Sequence, residues 1–144
     1  MPNRRFQRTS SATDDLKVSS IAAEAAVRSF VARINSHDAQ GILALCTASH
    51  VLIDSLGKRL SGLPQLEQGW CGYFALFPDH RIELDTMISA AGLVLSSGWA
   101  SATHRDSGTA WRIPAAWRAA VVNDQIAEWQ VYADNKPVYE ILGN

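Results

Sequence analysis

The feature that most constrains the fold is a change in hydrophobic periodicity at Pro78. Before this residue, apolar side chains recur at helical spacing in two segments, 21–34 and 66–77. After it, apolar and polar residues alternate from Arg81 to Ile88, which is the period of a β-strand. Helices that precede a meander of strands predict an α+β domain with helices packed on one face of a curved antiparallel sheet.

Turn and capping residues subdivide these two halves. Turn sequences at 90–92, 105–108 and 123–124 predict strands that run to about His104, from 109 to 122 and from 125 to 133. Gly98 predicts a bulge, and Pro114 predicts either an edge position or a bulge. Asp38 predicts the N-cap of a short helix, and Pro64 suits the first turn of the helix that ends before Pro78.

Composition predicts one folded domain of residues 18–144, preceded by a polar, disordered tail of residues 1–17. The net charge of −1 implies no nucleic-acid partner, and no segment approaches the length of a membrane span. The two cysteines, Cys46 and Cys71, form no CxxC pair, which favours free thiols in the cytoplasm. Because His37, His50 and His80 lie by turns, we expect them to be solvated and predict no metal site. Without a glycine-rich phosphate loop we also predict no cofactor.

Asp54 is the first candidate for chemistry. It ends the predicted strand 51–54 on the same side as Leu52. A carboxylate among apolar side chains is costly to bury unless it is partnered or used. If that side faces a pocket, Asp54 is a candidate general base. The alternative is a turn aspartate that binds backbone amides near Gly57.

Several local sequences resemble the SnoaL-like branch of the NTF2-like superfamily. Trp70 followed by the segment 74–79 (FALFPD) resembles the end of the third helix in polyketide cyclases, and 102–104 (ATH) resembles the end of their next long strand. The segment 128–134 (EWQVYAD) resembles their last strand. The resemblance covers about residues 18–142. It implies an NTF2-like cone, in which a strongly curved antiparallel sheet and three N-terminal helices enclose an apolar pocket.

The segment 30–57 also resembles the first third of ketosteroid isomerases. The resemblance places their catalytic aspartate at Asp54, but their two oxyanion donors fall on Phe30 and Ala116, which have no donor group. Losing one such donor commonly lowers the rate by ~10²–10³, so steroid isomerisation by that mechanism is not expected. Limonene-epoxide hydrolases are a further relative, and their catalytic aspartate is replaced by Val131. Isomerisation, cyclisation, dehydration and epoxide opening all stay open.

His104 and Arg118 are the other catalytic candidates. His104 is either a second acid or base near the pocket or a structurally bonded histidine at a strand end. Strand alternation from Ala116 places Arg118 on the pocket side, where Asp54 would be its partner. The alternative is a bulge near Pro114 that shifts the register by one and leaves Arg118 in solvent.

These assignments predict a cofactor-independent enzyme that uses general acid–base chemistry on a small apolar molecule with a carbonyl or anionic oxygen. The predicted pocket wall consists of Phe30, Leu52, Trp70, Phe74, Ala116, Trp129 and Val131. On the outer sheet face, Trp111, Ile113 and Trp117 predict a homodimer interface. The alternative function is a ligand-binding or protein-interaction module without catalysis.

Overall fold

The computed structural model describes residues 4–143, with side chains from residue 19 onward. The helices are α1 (Arg4–Asn35), α2 (Ala39–Ala44), α3 (Leu63–Leu76) and α4 (Lys136–Leu142). The strands are β1 (Cys46–Ile53), β2 (Arg59–Ser61), β3 (Arg81–Ala90), β4 (Leu93–Thr103), β5 (Ala110–Val122) and β6 (Gln125–Ala133). The predicted tail, residues 1–17, has no described side chains, so the boundary at residue 18 stays a prediction.

The six strands form one curved sheet in the order β2-β1-β6-β5-β4-β3. All neighbouring strands are antiparallel except β1 and β6, which run parallel. Helix α1 packs on β3, β4, β5 and β6, while α3 contacts α2, β1 and β2. The predicted α+β cone, with three helices packed on a curved sheet, is therefore confirmed, and α4 is an addition that the sequence did not predict. No described helix has the length and apolar character needed to cross a membrane.

The predicted caps and turns are confirmed. Asp38 caps α2 by accepting a hydrogen bond from the backbone N–H of Gly41 at 2.9 Å. Helix α3 has its proline in the first turn, where no N–H is needed. Asn123 and Asp124 both have positive φ, 49° and 62°, as a two-residue hairpin loop with the twist of its strands requires.

The bulge predicted at Gly98 lies on the neighbouring strand. The β3–β4 register shifts between Leu84 and Thr86, so Asp85 is the extra residue. Gly98 pairs with Leu84 at this point, and a Cβ on Gly98 would overlap the carbonyl oxygen of Glu83. Glycine is therefore required because the two backbones approach closely where the sheet bends.

The register of β5 differs from the prediction. Pairing between β4 and β5 continues without a shift from Leu93–Ala120 to Thr103–Ala110, so Pro114 causes no bulge. Pairing with β6 begins only at Ala115, which makes Pro114 a local edge residue. The residues that face the helices are Trp111, Ile113, Ala115, Trp117 and Ala119. The prediction that Ala116 and Arg118 face inward is therefore wrong. The odd-numbered residues of β5 face the helices, whereas the position carried over from the isomerases is even-numbered.

Candidate active site

A cavity of about 230 Å³ lies between the inner face of the sheet and α3. Four of the five tryptophans line it, together with aliphatic side chains from β1, β5 and β6. The four are Trp70, Trp111, Trp117 and Trp129. An apolar cavity of about 150 Å³ already accepts benzene. The cavity is therefore large enough for a small ligand with one or two fused rings.

Four of the seven predicted wall residues line this cavity, namely Leu52, Trp70, Trp129 and Val131. Phe30 does not: it is fully buried behind the wall, with its ring centroid 5.0 Å from that of Trp129. Phe74 stacks on Trp70 at 5.5 Å and on His37 at 4.5 Å, so it also supports the wall from behind. Ala116 lies on the outer face of the sheet because its neighbours Ala115 and Trp117 face inward.

Asp54 borders the cavity immediately after β1 and is partly buried. Its Oδ1 atom accepts hydrogen bonds from the backbone N–H groups of Leu56, at 2.9 Å, and Lys58, at 2.8 Å. Both interpretations from the sequence therefore hold for its position: the side chain binds turn amides and it also lines a pocket. The two amides fix the orientation of the carboxylate, and no donor among residues 19–143 is bonded to Oδ2.

A hydrogen bond joins two loops at the same rim. The Nδ2 atom of Asn135, just before α4, donates to Oγ of Ser55 at 2.7 Å, and both residues line the cavity. This contact connects the β1–β2 loop that carries Asp54 to the C-terminal end of the chain. No local pattern predicts this contact, because the two residues are 80 positions apart.

His80 is the functional candidate that the sequence analysis missed. The expectation that it is solvated is wrong: the residue is only 6% exposed and lines the cavity. Its pKa is lowered from 6.5 to about 4, mainly by burial and in addition by the charge of His37, against a smaller opposing effect of Asp79. The imidazole is therefore neutral near pH 7. Alternation along β3 could have identified it, since Ile82 shares its inward side.

His50 and His104 are buried but do not line the cavity. His50 was expected to be solvated, yet it is completely buried, and its Nδ1 is 2.7 Å from the carbonyl oxygen of Ile126. Desolvation lowers the pKa of His50. His104 closes the β4–β5 turn, with Nδ1 2.8 Å from Oγ of Ser107. The assignment of His104 as a second acid or base near the pocket is wrong, because it has the structural role that was its alternative.

Arg118 does not line the cavity either. It lies on the outer face and its Nη1 atom donates to Oε1 of Glu128 at 2.7 Å. The predicted pair with Asp54 is therefore wrong. Trp111, Ile113 and Trp117, which were expected on the outer face, instead line the cavity.

Several polar atoms at the cavity have no partner among the described residues. They are Nε1 of Trp70, Nε1 of Trp111 and Nδ1 of His80, and all three are buried. Tyr73 lies beside them, with its ring centroid 5.0 Å from that of His80. Burial raises the pKa of the Tyr73 hydroxyl, so the hydroxyl stays protonated. Unpaired buried donors are uncommon in folded proteins, so a cavity with several of them is suited to a polar ligand atom.

The polar groups thus fall into two parts of the cavity. Asp54 follows β1, and His80 precedes β3, at the opposite end of the sheet order. Between β1 and β3 there are four strand spacings of about 4.8 Å each, measured along the curved sheet. The Asp54 carboxylate and the polar groups near His80 can therefore act on one ligand only if that ligand spans the apolar space between them. Among the described residues, no group of three or more His, Cys, Asp or Glu side chains is arranged to hold a metal ion.

Comparison with solved structures shows the same fold in several proteins. A protein from Shewanella denitrificans named as a SnoaL-like polyketide cyclase superimposes with a TM-score of 0.75 at 11% identity, covering 84% of this chain and 96% of that one. A protein of ketosteroid isomerase-like fold from Catenulispora acidiphila gives 0.69 at 16% identity, covering 74% and 83%. IdmH from Streptomyces antibioticus, named as a polyketide cyclase, gives 0.71 at 17% identity, covering 85% and 99%.

The sequence itself matches a protein family. No curated protein shows significant similarity to the chain. The family described as the SnoaL-like domain matches residues 27–129, from the last third of α1 to the middle of β6. This range includes Asp54, His80 and all four tryptophans of the cavity. With most of its length matched and the fold in common, the chain belongs to the SnoaL-like family.

Proposed function

We propose that this protein is a small-molecule enzyme of the cyclase or isomerase type, in which Asp54 removes a proton from an apolar substrate. The observation that carries the proposal is the position of Asp54. It is the only carboxylate among the described residues that line the cavity, and two backbone amides hold its orientation. A positioned carboxylate base typically accelerates proton transfer by ~10²–10⁴.

The surroundings of Asp54 support this use. The opposite walls are aromatic and aliphatic, so a bound substrate displaces water from an apolar space beside the Asp54 carboxylate. The Asn135–Ser55 hydrogen bond restrains the loop on which Asp54 lies. Membership of a family whose fold is shared by proteins named as polyketide cyclases fits a cyclase- or isomerase-type reaction.

A generic proton-transfer probe tests the base without knowledge of the natural substrate. A base removes the C3 proton of 5-nitrobenzisoxazole while the N–O bond breaks, and the released 2-cyano-4-nitrophenolate is followed by its absorbance. We expect Asp54→Asn to lower kcat/KM by about 100-fold or more. Arg118→Ala, on the outer face, is the control and is expected to keep the parent rate. Equal rates for the Asn variant and the parent would remove Asp54 from the mechanism.

A ligand-binding protein without catalysis is the second candidate. The bonds from Oδ1 to the turn amides favour it, because they give Asp54 a structural role that needs no substrate. If this alternative holds, apolar ring compounds bind tightly but the protein does not turn over the probe faster than free acetate does. If the protein is the proposed enzyme, it both binds such compounds and turns over the probe.

We also propose a homodimer through the outer sheet face, now on different residues from those first expected. Ile88, Leu95 and Tyr132 lie on this face and are 63%, 47% and 49% exposed. Ile88 pairs with Leu95 across β3 and β4, so these two apolar residues are neighbours, and Tyr132 lies on the same face two strands away from Leu95. A second copy that packs on this face would cover them.

The two free cysteines, Cys46 and Cys71, support a further proposal of a cytoplasmic location.

A further inference from the structure

We infer that the cavity holds a neutral oxygen atom of its ligand, from a ketone or a hydroxyl group, between the indole N–H of Trp111 and the imidazole of His80. This inference rests on the proposed use of the cavity as a small-molecule site. It extends that proposal by naming a second polar contact, separate from Asp54, and the chemical class of the ligand group that it recognises.

The two side chains share one part of the cavity wall. The ring centroids of His80 and Trp111 are 6.1 Å apart, and each residue is only 6% exposed. Nε1 of Trp111 and Nδ1 of His80 are both buried without a hydrogen-bond partner among the described residues. Both residues line the cavity, and a buried polar group without a partner is stabilised by any ligand atom that comes within hydrogen-bond distance of it.

The chemistry of the two groups determines what that atom is. An indole N–H only donates, so its partner must be an acceptor. A neutral imidazole donates from one ring nitrogen and accepts at the other, so it suits either a carbonyl oxygen or a hydroxyl group. Burial lowers the pKa of His80 to about 4, which keeps the imidazole uncharged near neutral pH.

An anionic ligand group is disfavoured at this place. Within residues 19–143, no lysine or arginine lines the cavity, and the carboxylate of Asp54 is the one charged group that does. A carboxylate ligand would therefore be buried without an opposite charge. Trp70 also has an unpartnered indole N–H, but its ring neighbours are the apolar Phe30 and Phe74. Only Trp111 has an unpartnered nitrogen of His80 beside it.

Three naphthalene compounds of similar shape test the inference by NMR titration of the ¹⁵N-labelled protein. They are 2-acetylnaphthalene, 2-naphthol and 2-isopropenylnaphthalene, and the last replaces the ketone oxygen with a methylene group. We expect the better of the two oxygen compounds to bind about tenfold more tightly than the methylene compound, which corresponds to one good hydrogen bond. Its binding is also expected to move the Trp111 indole proton downfield. Whichever of the two oxygen compounds binds more tightly shows whether a ketone or a hydroxyl is the preferred group.

Variants separate this contact from general affinity for aromatic rings. We expect Trp111→Phe to lose the preference for the oxygen compounds and still to bind the methylene compound. We expect His80→Leu to show a smaller preference for the oxygen compounds. If all three compounds bind the parent protein equally, the inference is overturned. It is also overturned if 2-naphthoate, titrated as a fourth and anionic compound, binds most tightly. The indole shift in the parent protein gives the same answer if a variant does not fold.

The result is independent of catalysis. Asp54→Asn is expected to retain the preference for oxygen, because that carboxylate does not contact Trp111 or His80. A preference that persists when the proton-transfer probe shows no turnover would uphold the oxygen contact and reject only the enzymatic function. If none of the compounds binds, the small-molecule site and the oxygen contact are both rejected.

Discussion

Acidification should weaken the fold through His80, and replacing this residue with leucine should remove that effect. His80 is buried and neutral in the folded protein, with a pKa of about 4, whereas an unfolded histidine has a pKa of 6.5. Above pH 6.5 the imidazole is neutral in both states and folding is not opposed. As the pH falls below 6.5, the unfolded chain takes up a proton that the folded chain does not, so stability is lost until about pH 4.

The size of the effect follows from the two pKa values. One pKa unit corresponds to about 1.4 kcal/mol, so the difference of about 2.5 units limits the loss to about 3 kcal/mol at low pH. At pH 5 the loss is about 2 kcal/mol, because the unfolded histidine is then almost fully protonated and the folded one is still neutral. The pKa of His50 is also lowered by burial, so His50 adds a loss of the same sign to both proteins and cancels when they are compared.

Urea unfolding followed by tryptophan fluorescence measures the free energy of unfolding of the parent and of His80→Leu at pH 7.5 and pH 5. We expect the difference between the two proteins to change by about 2 kcal/mol in favour of the variant at the lower pH. Gly72→Ala is the matched control, because its added Cβ meets nothing within 4 Å and the substitution changes no titratable group. A change in the difference of less than about 0.5 kcal/mol would refute the burial of a neutral His80.

Two further predictions concern the sheet. Gly98→Ala should destabilise the protein by about 2 kcal/mol or more in urea unfolding, because the new Cβ meets the backbone carbonyl of Glu83. In the same assay Gly72→Ala, in α3 with nothing within 4 Å of the added Cβ, should leave stability unchanged or raise it by up to about 1 kcal/mol. Leu95→Glu should convert the proposed dimer to a folded monomer in analytical ultracentrifugation, and an unchanged mass would reject the outer face as the interface.

The fold was predictable because its signals are local. The change of period at Pro78 separates the helices from the strands, and the N-cap at Asp38 and the loop at Asn123 lie where residue type alone indicates them. Helix α4 and the parallel pairing of β1 with β6 were not predictable in this way. Both depend on contacts between the two ends of the chain, which no window of the sequence contains.

The site was predicted only in part, for a reason visible in β5. Its own alternation, with tryptophans at 111 and 117 and arginines at 112 and 118, indicates the inward face correctly. The position carried over from the isomerases contradicted this pattern, and one step of register exchanges every side chain between the two faces. That single step moved Arg118 into the predicted pocket and moved Trp111 out of it.

The structural role of Asp54 is compatible with the catalytic role that we propose for it. A base must be held within a narrow range of orientations, and a free side chain at a strand end has several rotamers. The hydrogen bonds from Leu56 and Lys58 remove that freedom at Oδ1 and leave Oδ2 without a hydrogen bond to the described residues. The same turn that fits the structural interpretation therefore supplies the positioning that the proposed proton transfer requires. His104 differs, because the bond to Ser107 holds its ring in a turn away from the cavity.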